Sequence, residues 1–301
     1  MHYHITHRTQ YLYNEPVSLS HNILLLTPRT TRFQQLNRFE TRIHPKPSLM
    51  EEMSDRFGNS KRYFEIHESH EALNITARSE VTTCRRDLSI LERSMPWEQV
   101  VRRLREDRDA KSILNRLFLL VSPLAEPGKA ILDFVTPSFP PGRPVLEAVW
   151  DLTGRIHQGF RYAPGSTEIS TPLHEVMKRR EGVCQDFAHL QIAALRLMGL
   201  AACYVSGYLE TRPPPGQPRL VGADASHAWI AVRIPDLGWI PFDPTNNVVA
   251  GESHIMVACG RDYSDVAPVS GIIIGGSHHT LEVSVDVLPV PENAFHGSGK
   301  T

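Results

Sequence analysis

Three residues of this chain have the types and the placement for nucleophilic chemistry: Cys184, His227 and Asp243. A thiol attacks a carbonyl efficiently only as thiolate, and a helix N-terminus and a neighbouring imidazolium both favour that form. Cys184 follows Gly182-Val183 and opens an apolar run from Gln185 to Met198 that reads as a buried helix closed by Gly199. N–H groups of a first helical turn have no intrahelical acceptor, so they can point at the sulfur and at an oxyanion formed beside it. Gly182 lets the backbone turn tightly before the helix.

The base and its partner must come from elsewhere in the chain. His227 opens an apolar run after a loop, and Asp243 ends the next run in Phe242-Asp243-Pro244-Thr245. Between them, Pro235-Asp236-Leu237-Gly238 is a turn signature. An antiparallel hairpin centred near 235–236 sets 227 opposite 243 at its open end. Asp243 then accepts a hydrogen bond from the imidazole and fixes its tautomer. Alone, each residue has a plainer role: a small core cysteine, a structural strand histidine, an aspartate in a turn. What favours the triad is that all three stand at element ends that one hairpin brings together.

The elements that must position them fall in order along the chain. Residues 1–84 alternate polar and apolar side chains, as in Tyr3-Ile5-His7 and Phe39-Thr41-Ile43, with turn signals such as Phe57-Gly58-Asn59 between runs. They form an N-terminal β-sandwich-like domain. Residues 85–144 are a helical, proline-rich connecting region, with helices expected at 97–104 and 113–121 and a stiff stretch of Pro137, Pro140, Pro141 and Pro144. A core from 145 to 290 follows, with the helical stripe Val145, Val149, Leu152 and Ile156 and a short helix from Pro172 capped by Thr171. Strands are expected at 202–209, 227–234 and 239–242, and a last one at 280–287. A loop with Pro213, Pro214, Pro215 and Pro218 projects between the first two, and 291–301 is a mobile tail.

Composition narrows the function classes. With 41% hydrophobic and 22% charged residues, the chain can build a substantial core. Its 32 Lys and Arg against 33 Asp and Glu give a net charge of -1, which argues against a nucleic-acid partner. No apolar run approaches the roughly 18 residues of a membrane span, and the first residues lack a secretory pattern, so the expected location is the cytoplasm with no membrane partner. The four cysteines, Cys84, Cys184, Cys203 and Cys259, form no CxxC pair and suggest neither disulfides nor a zinc finger.

Four motifs carry a resemblance. Gly182-Val183-Cys184-Gln185-Asp186-Phe187-Ala188-His189, Tyr204-Val205-Ser206-Gly207-Tyr208-Leu209, Asp224-Ala225-Ser226-His227-Ala228-Trp229 and Gly238-Trp239-Ile240-Pro241-Phe242-Asp243-Pro244-Thr245-Asn246 together resemble the bacterial transglutaminase-like superfamily, in the family's order. The strand-rich start resembles the β-domain that precedes this core in many bacterial members. The resemblance implies a papain-like α+β core, with the cysteine helix packed on an antiparallel sheet. It implies Cys184 as nucleophile, His227 as base and Asp243 as its partner, with no metal or cofactor in the mechanism. Gln185 stands where eukaryotic cross-linking enzymes usually have tryptophan, and Ala231 where many bacterial members have an acid. These departures leave water or an amine as the acyl acceptor; hydrolysis of a peptide or protein substrate is favoured because nothing visible excludes water. A binding scaffold that keeps the fold without catalysis is the alternative of another class, and a histidine-based zinc hydrolase is a third.

Further candidates are weaker in chemistry. Tyr162, Gln185 and Trp229 are candidate oxyanion or substrate-binding residues, with Trp150 as another pocket wall. Asp186 can stabilise the helix N-terminus, but its charge opposes thiolate formation if it faces the sulfur. His2 and His4 share a strand face without His7, His278 and His279 point to opposite faces, and His189 lies five residues past Cys184. These histidines read as structural. The oligomeric state is left open.

Overall fold

The computed structural model describes residues 1–86, 94–108, 110–211 and 226–290. The proline-rich loop at 213–218 and the tail at 291–301 lie outside the described residues. The chain starts with five strands: β1 (His2–Leu24), β2 (Gln34–His44), β3 (Leu49–Ser54), β4 (Ser60–Ile66) and β5 (His70–Thr83). Helices α1 (Trp97–Glu106), α2 (Ala110–Asn115), α3 (Lys129–Val135) and α4 (Val145–Gly159) follow. Next come the short β6 (Arg161–Tyr162), α5 (Leu173–Arg179), the short β7 (Glu181–Gly182) and α6 (Cys184–Leu197). The last strands are β8 (Ala202–Leu209), β9 (Ser226–Ile234), β10 (Gly238–Asp243), β11 (Val248–Val249), β12 (His254–Gly260), β13 (Val269–Gly275) and β14 (His279–Val290).

β1 is long enough to serve two layers. Its first half pairs with β5 on one edge and β14 on the other. Its second half pairs with β4 and β13. The register against β5 breaks between Leu12 and Val17, where the strand passes from one layer to the other. Val17, Phe64, Ile66, Leu73 and Ile75 fill the space between the layers. The β-sandwich expected for 1–84 is therefore present, but it is closed by strands from the far end of the chain.

That closure changes the domain boundaries. The residue pattern places 145–290 in one core, whereas the core sheet ends at Gly260 and β13 and β14 return to the sandwich. The physical reason is edge pairing: β1 offers rows of N–H and C=O groups in both layers, and the two late strands satisfy them. The connecting region differs too. Val100, Leu104, Phe118, Ile131, Val135 and Phe139 are all buried in the main hydrophobic core, so the described part of the connecting region packs as part of it rather than acting as a spacer. The single helix expected at 113–121 is α2 followed by a 3-10 turn at Arg116–Leu119. The short α3, directly before Pro137, has too few residues to show a helical period.

The core itself is a five-stranded antiparallel sheet in the order β11-β10-β9-β8-β12, with α6 packed on β9 and β8. The α4 stripe Val145, Val149, Leu152 and Ile156 is fully buried, as its spacing predicts. Every residue of α6 from Asp186 to Leu195 is buried, and Gly199 ends it at φ +78°, the left-handed turn that suits glycine. Burial of Phe187, Leu190, Ile192 and Leu195 contributes about 1.5–3 kcal/mol per side chain, which holds the helix start rigidly against the sheet. Among the described residues, no helix is long and apolar enough to cross a membrane.

Candidate active site

Cys184 is the first residue of α6 and is half-buried, behind the extended Val183. Asp186 turns away from the sulfur: its Oδ2 accepts from the Val183 N–H at 2.8 Å and from the Thr167 hydroxyl at 2.6 Å. Burial pushes the Asp186 carboxyl up, and those two bonds oppose the rise. The residue thus caps the helix without aiming charge at Cys184. Gly182 serves a different purpose from the one its sequence context suggests. A Cβ there would lie 2.8 Å from Asp186 Oδ2 and 2.9 Å from Asp186 Cβ, so glycine is needed for room. N–H groups of Cys184 and Gln185 remain in the first turn as possible oxyanion donors.

β9 and β10 form the expected hairpin, with a register displaced by two residues. Gly238 faces Ile234 and Phe242 faces Ile230, so Asp243 lies diagonal to His227 rather than opposite it. The turn holds three residues, with Asp236 at φ +68° and Gly238 at φ +88°, and this sets the register. An even displacement keeps both side chains on one face, which preserves the pairing. His227 Nε2 donates to Asp243 Oδ2 at 2.8 Å. Cys184 lies close enough to the same imidazole to help raise its pKa.

Asp243 is fully buried and saturated with donors. Its Oδ1 accepts from the backbone of Thr245 at 2.9 Å and Asn246 at 3.2 Å. Its Oδ2 accepts also from Asn246 Nδ2 at 2.7 Å and His254 Nε2 at 3.1 Å. Burial alone would raise its pKa; the bonds from His227, His254 and Asn246 hold it far below the usual carboxylate range. For His227, burial opposes the charge, but the Asp243 and Cys184 bonds and their charges push it up to about 10. The site therefore favours a charged imidazolium at neutral pH.

Two of these partners escape the sequence. His254 opens β12, and Asn246 follows the Asp243 turn. Only the Asn246 spacing, three residues past a turn aspartate, is a local signal. Trp229, on the same face of β9, is buried and sets its ring 6.0 Å from His227 and 5.2 Å from His254. It braces both imidazoles. Gly207 makes room for it, since a Cβ there would lie 2.5 Å from Trp229 Cη2.

The other candidates are placed unevenly. Tyr162 is exposed on β6, paired with Gly182 in β7, and feels the Cys184 charge after the larger effect of its own burial. Gln185 donates to the Ile169 carbonyl at 3.4 Å, on the segment before α5. Trp150 lies 6.5 Å from Phe242 and is 38% exposed. His189 accepts from the Tyr263 N–H at 3.1 Å and is pushed down to about 4 by burial, so it is a neutral core residue. His7 is similarly buried, bonded to Thr9 at 2.9 Å and Tyr208 at 3.1 Å. His2 bonds Thr82, and His279 packs on Tyr11 and Tyr13.

Among the described residues, His227, Asp243 and His254 form a cluster of metal-ligand types. Both Nε2 atoms, however, aim at a single carboxylate oxygen over hydrogen-bond distances, and a cation would have to displace both protons.

Comparison with known proteins shows the family. Residues 3–82 match the bacterial transglutaminase-like N-terminal region, and residues 139–244 match the transglutaminase-like superfamily. An uncharacterised protein of Mycobacterium tuberculosis is 41% identical over 302 residues, covering 98% of this chain and 95% of that one. An uncharacterised protein of Mycobacterium leprae is 32% identical over 289 residues, covering 94% and 97%. A protein-glutamine gamma-glutamyltransferase of Pseudomonas aeruginosa is 32% identical over 95 residues, which are 31% of this chain and 14% of that enzyme. A proposed cysteine protease from Cytophaga hutchinsonii shares the fold, with a TM-score of 0.73 at 24% identity over 97% of this chain and 92% of that one. With its cysteine helix, its antiparallel sheet and its N-terminal β-domain, this chain belongs to the transglutaminase-like superfamily.

Proposed function

We propose that the protein is a thiol acyl-transfer enzyme that opens an amide bond of a peptide or protein substrate through a thioester. The observation that carries this reading is the His227–Asp243 bond at 2.8 Å, with Cys184 close enough to the imidazole to help charge it. The Cys184 thiolate attacks the carbonyl carbon, and the first-turn N–H groups of α6 stabilise the oxyanion. His227, as imidazolium, donates its proton to the leaving amine as the C–N bond breaks. The neutral imidazole then takes a proton from the acceptor, which displaces the thiolate and regenerates the pair. Asp243 stays ionised throughout and holds the imidazole. Tyr162, beside the start of α6, is proposed as a pocket wall.

Hydrolysis is the favoured outcome, because Cys184 is only half-buried and Tyr162 beside it is exposed, which leaves water a way to the thioester. The short match to a gamma-glutamyltransferase supports the second reading, in which a primary amine resolves the thioester. Cys184→Ala should abolish turnover of an activated amide or ester, a loss of about 10³-fold or more. Iodoacetamide should modify Cys184 well before Cys84, Cys203 and Cys259, and should still do so below pH 7. Equal modification of all four thiols sinks the proposal. Adding a primary amine separates the acceptors: an amide product means transfer, and the free acid means hydrolysis. Full activity in a chelator would exclude a metal at the His227–Asp243–His254 cluster.

A further inference from the structure

One cavity among the described residues lies away from Cys184. Its volume is about 520 Å³, and it is walled by three parts of the chain: the sandwich, the connecting helices and the core sheet. Small-molecule sites span about 300–1,000 Å³. Phe57, Leu117, Phe118, Trp229, Trp239 and Met256 supply an apolar wall, with Phe118 5.3 Å from Phe57 and 4.9 Å from Trp239. Around it stand Arg29, Arg32, Arg56, Arg86 and Arg233, and no aspartate or glutamate lines the space among the described residues.

Among the described residues no carboxylate pairs with Arg29, Arg32, Arg56 or Arg86, whereas Arg233 interacts with the charge of Asp236. Arg29 is committed to structure: it donates to the Phe57 carbonyl at 2.8 Å and to Asn59 Oδ1. Arg32 and Arg86 are not so committed. Both lie over the Phe33 ring, at 4.6 Å and 4.0 Å from its centre, which fixes two like charges side by side at the cavity. The strain is visible on Arg86, which burial and then the Arg32 charge push down to about 10. A protein of net charge -1 has acids to spare, yet none of the described ones lines this cavity. Uncompensated guanidinium groups above an apolar wall are a complement to one kind of molecule.

We propose that this cavity is a second binding site, separate from the Cys184 centre, for a small amphipathic anion. The apolar body lies on the Phe118–Trp239 wall, and an oxyanion head, carboxylate or phosphate, is held by Arg32 and Arg86. Trp229 and His254 line the cavity on one side and brace His227 and Asp243 on the other, so the ligand sits directly behind the proposed base.

The probe is 8-anilinonaphthalene-1-sulfonate on the full chain, with emission excited through tryptophan, since Trp229 and Trp239 line the space. Decanoate or decyl phosphate should displace it, the tighter of the two identifying the head group, while decanol should compete at least tenfold more weakly. Arg32→Gln combined with Arg86→Gln should weaken displacement at least tenfold and leave the unfolding midpoint near that of the parent. A second measurement needs no variant: Cys84, exposed at the lining, should be alkylated several-fold more slowly with the bound anion present. Equal competition by decanol, unchanged affinity in the double variant, or unchanged Cys84 alkylation would each overturn the proposal. Inactivity of Cys184 would not bear on it.

Discussion

His7 in the sandwich and His227 in the core sheet are both nearly enclosed, yet the protein drives them in opposite directions. Burial pushes His7 down to about 4, because its partners are the neutral hydroxyls of Thr9 and Tyr208. His227 meets the same penalty and overcomes it through the buried Asp243, rising to about 10. The carboxyls repeat the contrast. Asp186 has neutral donors and is pushed up, whereas Asp243 has two imidazoles and an amide and is pushed down. Burial disfavours the charged form at all four, lowering the histidines and raising the aspartates; the partner decides the outcome. The sandwich uses a buried histidine as a neutral joint between β1 and β8, and the core uses one to hold a proton ready.

The largest way to break this comparison is Asp243→Asn. It should lower kcat by about 10³–10⁴-fold. It should also move the His227 titration, followed by NMR, down from about 10 towards that of His7. A titration left in place would mean that Asp243 is not what charges the imidazole. His254→Phe removes one donor to the same carboxylate while keeping a ring beside Trp229. Loss of a charged hydrogen bond of about 1.5–3 kcal/mol predicts a fall in kcat of about ten- to a hundredfold, with KM little changed. An unchanged kcat would reduce His254 to a packing residue.

Stability against pH sharpens the contrast from the other side. His7 has a folded pKa below the unfolded value of 6.5, so its contribution is present above 6.5 and is lost as pH falls through about 4. His227 has a folded pKa above 6.5, so its contribution is full below 6.5 and is lost as pH rises through about 10. His7→Phe should therefore flatten the acid limb of an unfolding curve, by about 3 kcal/mol, and leave the alkaline limb alone. An unchanged acid limb would show that His7 is protonated when folded. The smallest effect is expected of Asp186→Asn, whose amide oxygen can still accept from Val183. It should change kcat by less than about tenfold and leave the alkylation of Cys184 intact; a loss near that of Asp243→Asn would make Asp186 part of the chemistry.

Much of this site is legible from local pattern. The cysteine at the start of a buried run, the glycine that ends the helix and the turn between two apolar runs are short-range signals. They bring Cys184, His227 and Asp243 together even with the hairpin register off by two residues, because only parity matters for the face. The reading of Gly182 as a turn glycine failed because the constraint is the space taken by Asp186, which no spacing reveals. α3 was not legible because seven residues between glycine and proline carry no period.

By itself, the sequence determined the residue types, their order and the parity that lets a nucleophile, a base and an acid share one face. Tertiary structure alone decided that β13 and β14 close the sandwich, that His254 completes the shell of Asp243, and that five arginines converge on one cavity. These are contacts between segments far apart in the chain. Local propensity and periodicity record what a residue does with its neighbours in sequence, whereas such contacts depend on which sheet edge is left unpaired and which face is left uncovered once the elements meet.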